Sequence, residues 1–312
     1  MFQPEAAEHA AEHAAEGASG AFNAGEVIIG HVSNGPHPLI HLPTIAGIDF
    51  SVTKHVLMLW IAAALVFFVV TLTVRRYLRQ ERLQPKGFMT ALEIVVEFIR
   101  DSIVLPNVGA KWVLVYTPIL LTLFLFILTA NVIGLIPIFD LAALINHSFL
   151  QLPEESFFAR VLHGGVTATG NFNVTAALAT ITFFLIIIAG ARAHGFVQHW
   201  KNMVPKGLPW PIYFLLIPIE IMGMFVRPFA LTMRLAANMT GGHIALLAII
   251  SFVFIFAQQF NAAVGVAVGA FLSVPLAVGI MALEAIVVVP VQAYVFTLLT
   301  AVFIGMAIHA HH

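Results

Sequence analysis

Seven residues could do chemistry in a stretch that is otherwise apolar. Between positions 211 and 306 the chain carries Glu220, Arg227, Arg234, Asn238, His243, Glu284 and Gln292 among long aliphatic and aromatic runs. An arginine at the centre of an apolar segment costs about 2.5–3.5 kcal/mol to insert. It keeps its charge, because a guanidinium does not titrate in proteins. Arg234 must therefore face a carboxylate, water or another chain. Glu220, Arg227 and Arg234 recur every seven residues, about two helical turns, and so share one stripe. Asn238, four residues on, falls near that stripe, whereas His243 points roughly the other way on a straight helix. Imidazole titrates near physiological pH, and burial raises a carboxyl toward the same range, so His243 and Glu284 have the chemistry of a proton relay. Asn238 and Gln292 cannot titrate but can orient water and neighbours. Asn131, alone at the end of another apolar segment, reads as a packing or capping residue.

Three functions fit these residues. Intramembrane ionisable groups mark ion or proton pathways. Arg234 could instead bind an anionic substrate at the midplane of a secondary transporter, a class built from related repeats with broken helices. The polar groups could also serve only as glue between helices, with Arg234 paired to Glu220 or Glu284. Each seven-residue step is roughly 10 Å along a helix axis, which puts Glu220 out of direct reach of Arg234.

The elements that must position these residues are membrane helices. The chain has 312 residues, 60% hydrophobic and 9% charged, against about 25% charged in a soluble domain. The reading is an all-α integral membrane protein of about five transmembrane helices and one interfacial amphipathic helix. Spans are expected at about 55–74, 112–139, 173–191, 211–260 and 263–306, within a membrane domain over 51–308. The interfacial helix falls at about 88–104, where apolar residues recur at helical spacing and Glu93, Glu97, Arg100 and Asp101 fall elsewhere. The last two runs are too long to cross upright: fifty residues would extend roughly 75 Å, so each tilts or breaks, with Gly241-Gly242 and Pro275 as break points.

Charge sets the orientation. Of 14 Lys and Arg residues, seven lie between Arg75 and Lys111 and three between Arg192 and Lys206. Both clusters fall on one side of the expected spans, which the positive-inside rule makes cytoplasmic. The N-terminus and the 140–172 loop are then outside and the C-terminus inside. Residues 1–50 form a polar extension outside the membrane. Its Ala/Glu/His repeat reads as a solvated tail rather than a secretory signal, with metal binding by His9 and His13 as the alternative. The C-terminal HAHH reads likewise as a solvated tail. A net charge of −1 and no cysteine leave no basic face for nucleic acid and no thiolate metal site. No phosphate-binding loop of the G-x-x-x-x-G-K-[ST] type is present, and no cofactor or metal is expected.

RLAANMTGGH, with PIEIMGMFVRPFALTM before it and QAYVFTLLTAVF after, closely resembles subunit a of F-type ATP synthases, in its mitochondrial and alphaproteobacterial flavour. NVIGLIPI and TGNFNVTAAL look like further blocks of that family, and the resemblance covers about residues 48–306. It implies two long, tilted helices against a ring of c subunits, and a bacterial inner membrane, or else a mitochondrial one. The implied partners are the c-subunit ring, peripheral stalk subunit b, other ATP synthase subunits and membrane lipid. Arg234 matches the family's essential arginine, and Glu220 a residue of the cytoplasmic half-channel. Asn238, His243, Glu284 and Gln292 match the outer half-channel, where the resemblance implies that His243 and Glu284 face each other as an acid–imidazole pair. Arg227 matches a basic position that snorkelling explains. One departure stands out: Glu284 precedes Gln292 by eight residues, where the family pattern has seven. Pro290 lies between them, where a kink or π-bulge could absorb one residue.

Overall fold

The computed structural model describes residues 51–80, 85–135, 168–202, 209–260 and 262–309. The segment holding His9 and His13, most of the 140–172 loop and residues 310–312 lie outside the described residues. Among the described residues every regular element is helical.

Helix α1, Lys54–Leu78, ends on Arg75 and Arg76, cations at the carbonyl end of the helix dipole. Trp60, Phe67, Phe68 and Leu72 stand exposed along it, an apolar surface that suits lipid as the surrounding solvent. Helix α2, Phe88–Glu97, continues as a π-helical stretch, Phe98–Val104, into the short α3, Leu105–Val108. This is the segment expected to be amphipathic. Its apolar stripe of Ile99, Ile103, Val104 and Val108 is buried in the protein's own core, while Arg100 and Asp101 pair with each other at its exposed side, at 2.7 and 2.8 Å.

Helix α4, Val113–Leu135, and α5, Phe172–His194, follow. Asn171 caps α5 by accepting a hydrogen bond from the Asn173 backbone (2.8 Å). Gly195, at φ 87°, turns the chain where an L side chain would be strained, and α6, Phe196–Asn202, folds back. Helix α7 runs unbroken from Trp210 to Gln259. Helix α8, Ala262–Leu283, passes through a π-helical turn, Glu284–Val288, into α9, Val289–Ile308. Neither Gly241-Gly242 nor Pro275 breaks its helix, so both long runs are continuous. Among the described residues five helices are long and apolar enough to cross a membrane: Lys54–Leu78, Val113–Leu135, Phe172–His194, Trp210–Gln259 and Ala263–Ile308. Fifty residues exceed a hydrocarbon core of about 30 Å at 1.5 Å per residue, so α7 cannot cross upright with all its apolar residues inside.

The chain divides into two compact units. One comprises, among described residues, 241–284: the end of α7 and all of α8. These pack closely because Gly265 and Gly269 have no Cβ; a Cβ at Gly265 would collide with the Phe256 carbonyl, and one at Gly269 would lie 2.7 Å from the Val253 Cα. The other unit holds the remaining described residues, around a core that includes Ile103, Leu120, Ile127, Ile186, Leu235 and Phe296. His309, expected in a loose tail, is instead tied down: its Nε2 donates to the Val108 carbonyl (3.1 Å). His194 Nε2 donates to the Ile308 carbonyl (2.8 Å), satisfying an acceptor that a helix end leaves open.

Candidate functional site

Around Arg234, α7 has two distinct faces. Leu231, Thr232, Leu235 and Met239 are buried. Ala230, Met233, Arg234, Ala237 and Asn238 are exposed. The helical period therefore points Arg234 away from the core of its own unit. Among the described residues no hydrogen bond or ion pair engages its guanidinium. Glu220, on the same helix, is not its partner among the described residues.

Glu220 pairs with Arg227 instead, Nη2 to Oε1 at 3.5 Å. Seven residues separate them, and two long side chains leaning toward each other close the roughly 10 Å between their backbones. Arg227 also stands over the Phe303 ring of α9, its guanidinium carbon 5.8 Å from the centroid. The expectation that Arg227 merely snorkels does not describe this geometry.

Asn238 and Gln292 meet directly. Asn238 Nδ2 donates to Gln292 Oε1 at 2.9 Å, and Gln292 is buried. Position 292 lies just beyond the π-helical turn, where α9 resumes.

In the other unit, Glu284 is buried at 2% exposure, and neither carboxyl oxygen finds a hydrogen-bond partner among the described residues. Its carboxyl fills the space over Gly242, where a Cβ would collide with Oε1. His243, the next residue, is half-buried. The implied acid–imidazole pair, 41 residues apart in sequence, is brought to neighbouring positions through Gly242, but no hydrogen bond joins it among the described residues. A buried carboxyl without partners is costly, which makes Glu284 the most conspicuous polar group of its unit.

Asn131, read from the sequence as a packing or capping residue, is a buried packing residue. It is fully buried and accepts from Thr169 Oγ1 at 2.5 Å, while its Nδ2 has no partner among the described residues. Thr240, on α7 two residues beyond Asn238, donates to the Gly170 carbonyl (3.1 Å). Among the described residues no group of three or more His, Cys, Asp or Glu is placed to hold a metal ion.

An all-α, multi-pass membrane protein with an outward-facing arginine inside an apolar helix is a narrow class. The family model described as ATP synthase A chain matches residues 56–305. ATP synthase subunit a 2 of Prosthecochloris aestuarii is 40% identical over 312 residues, covering 97% of this chain and 83% of the relative. ATP synthase subunit a 2 of Chlorobium luteolum is 38% identical over 294 residues, 91% and 76% of the two chains. ATP synthase subunit a of Chlorobium phaeobacteroides is 39% identical over 303 residues, 94% and 78%. The chain belongs to the ATP synthase A chain family.

Proposed function

We propose that this chain is the stator subunit of the proton-conducting membrane sector of ATP synthase, with Arg234 facing the carboxylates of the rotating c ring. The observation that carries this is the exposed guanidinium of Arg234 on the outward face of α7, without a partner among the described residues. A permanent charge in lipid needs a counter-charge, and among the described residues the chain supplies none. An open face also suits a large moving partner better than the enclosed site that a small transported anion requires.

The mechanism follows from how environment moves a carboxyl's proton affinity. In lipid a rotor carboxyl is protonated, because desolvation disfavours its charged form; beside Arg234 it ionises, because a cation favours it. A proton enters from outside through a half-channel of Asn238, His243, Glu284 and Gln292 and neutralises the carboxylate, which then rotates into lipid. After nearly a full turn that carboxyl reaches the cytoplasmic half-channel at Glu220 and gives up its proton. The Arg234 charge blocks a direct leak between the two halves. Each elementary charge that crosses is worth about 2.3 kcal/mol per 100 mV, and that work turns the rotor. The nucleotide chemistry belongs to other subunits of the complex, among them those joined to this one through peripheral stalk subunit b.

ATP-driven proton pumping in membrane vesicles carrying Arg234→Ala tests the reading, with assembly checked by co-purification of the c ring. We expect assembly intact and pumping abolished. An assembled variant that pumps normally would remove Arg234 from the mechanism and return it to a structural role.

A further inference from the structure

Arg227 is the charged residue that the proton path leaves without a task. Snorkelling would require only that its head reach the polar layer. Instead it is held at two points: Nη2 lies 3.5 Å from Glu220 Oε1, and the guanidinium carbon stands 5.8 Å from the Phe303 ring centroid. The first contact runs along α7, and the second is a cation–π contact across to α9. The two side chains are 32% and 35% exposed, so the pair is open to its surroundings and adds little stability. What it fixes is position. A guanidinium seated on a ring cannot follow a wandering carboxylate, so it holds the carboxylate to one place. Glu220 Oε1 lies 3.5 Å from that anchor, and a carboxylate held through one oxygen keeps the lone pairs of the other for a proton. Arg234 lies about 10 Å further along the same stripe and carries the same charge, so it does not compete for Arg227.

We propose that Arg227 is a positioning residue for proton exit, seated on Phe303 and holding the Glu220 carboxylate in the cytoplasmic half-channel with one oxygen open. This rests on the reading of Glu220 given above. The proton bonds to the open oxygen as its bond to the rotor carboxyl breaks, and water then takes it from Glu220. Arg227 keeps its charge throughout and touches neither the proton nor the rotor carboxyl.

The test is passive proton conduction through the assembled membrane sector after removal of the catalytic head, in vesicles under an imposed potential. The variants are Arg227→Gln, Arg227→Lys, Phe303→Leu, Glu220→Gln and the double Glu220→Gln/Arg227→Gln, each checked for c-ring co-purification. Arg227→Gln is expected to slow conduction about tenfold, the scale on which outer partners of a functional group act. Arg227→Lys and Phe303→Leu fall between it and the parent, since the charge remains and only the planar contact is lost. In the Glu220→Gln background Arg227→Gln adds no further loss, because its effect passes through Glu220. Parent-like conduction in Arg227→Gln, equal losses for Lys and Gln, or additive losses in the double variant would each overturn the proposal. If Arg227→Gln does not assemble, the Arg227→Lys and Phe303→Leu variants carry the test. Normal conduction in Glu220→Gln would overturn both this proposal and the Glu220 assignment, whereas normal Glu220-dependent exit without an Arg227 effect overturns this proposal alone.

Discussion

At the scale of single residues, the most constrained contact is that of Glu284 on Gly242. The carboxyl occupies the volume that a Cβ would take, so the missing side chain sets where the acid sits. Gly242→Ala should displace the carboxyl at an overpacking cost of about 1–3 kcal/mol and lower proton pumping without loss of the c ring. Glu284→Asp withdraws the carboxyl by one methylene. Added to Gly242→Ala, it should restore part of the pumping that the alanine removes. Pumping unchanged by Gly242→Ala would show that the position of Glu284 is not fixed by this notch. The candidate residues were readable because each is a polar anomaly in apolar sequence. What spacing could not supply was pairing. Backbone separation put Glu220 out of reach of Arg234, and spacing alone did not show that Glu220 and Arg227, one step apart, meet by side-chain reach. Asn131 was readable as a packing residue, but its partner Thr169 was not, because it lies 38 residues away in the sequence.

At the scale of elements, period was the informative quantity. Gln292 follows Glu284 by eight positions where the family pattern has seven, and the helix carries a π-helical turn, Glu284–Val288, in that interval. A π turn accommodates one extra residue without ending the helix, so a spacing anomaly in the sequence was a local backbone feature in the fold. The docking of α6 was not legible, because it depends on one ring entering one notch. His199 lies so close over Gly190 that a Cβ there would collide with its ring. Burial lowers the pKa of His199, and the neighbouring His194 lowers it further. The other charged groups on the two helices, Arg192 and Lys201, are cations and offer the imidazolium no relief. A histidine whose folded pKa is depressed stabilises the docked state fully above its unfolded value of about 6.5, and that stability is lost as pH falls toward the lower folded value. Amide exchange across Phe196–Asn202 should therefore be faster at about pH 5 than at about pH 7.5, beyond the intrinsic chemistry of exchange. His199→Gln should remove the difference. Equal protection at both pH values in the parent chain would mean that His199 does not hold α6.

At the scale of the whole molecule, the amino-acid pattern implied about five crossings, and among the described residues five helices have sufficient length and apolarity. Hydropathy is legible at this scale because a bilayer imposes one length on every span. Continuity was not: glycine and proline mark possible breaks, and only packing decides whether a membrane helix uses them. Orientation rests on charge alone. Ten of the 14 Lys and Arg residues lie in two clusters, and an odd number of crossings puts the termini on opposite sides. We expect residues 1–50 and the loop around Ser148 outside and the loops bearing Lys86 and Lys201 in the cytoplasm. The chain contains no cysteine, so single cysteines can be introduced without background. A membrane-impermeant maleimide added to intact cells, with the outer membrane permeabilised where one is present, should label Ser19→Cys and Ser148→Cys. The same reagent on inverted vesicles should label Lys86→Cys and Lys201→Cys. Labelling of Lys86→Cys and Ser148→Cys from one side would leave an even number of crossings between them and contradict the charge argument. If that side were the cytoplasm, the two half-channels would also exchange, placing Glu220 on the entry side and Glu284 on the exit side.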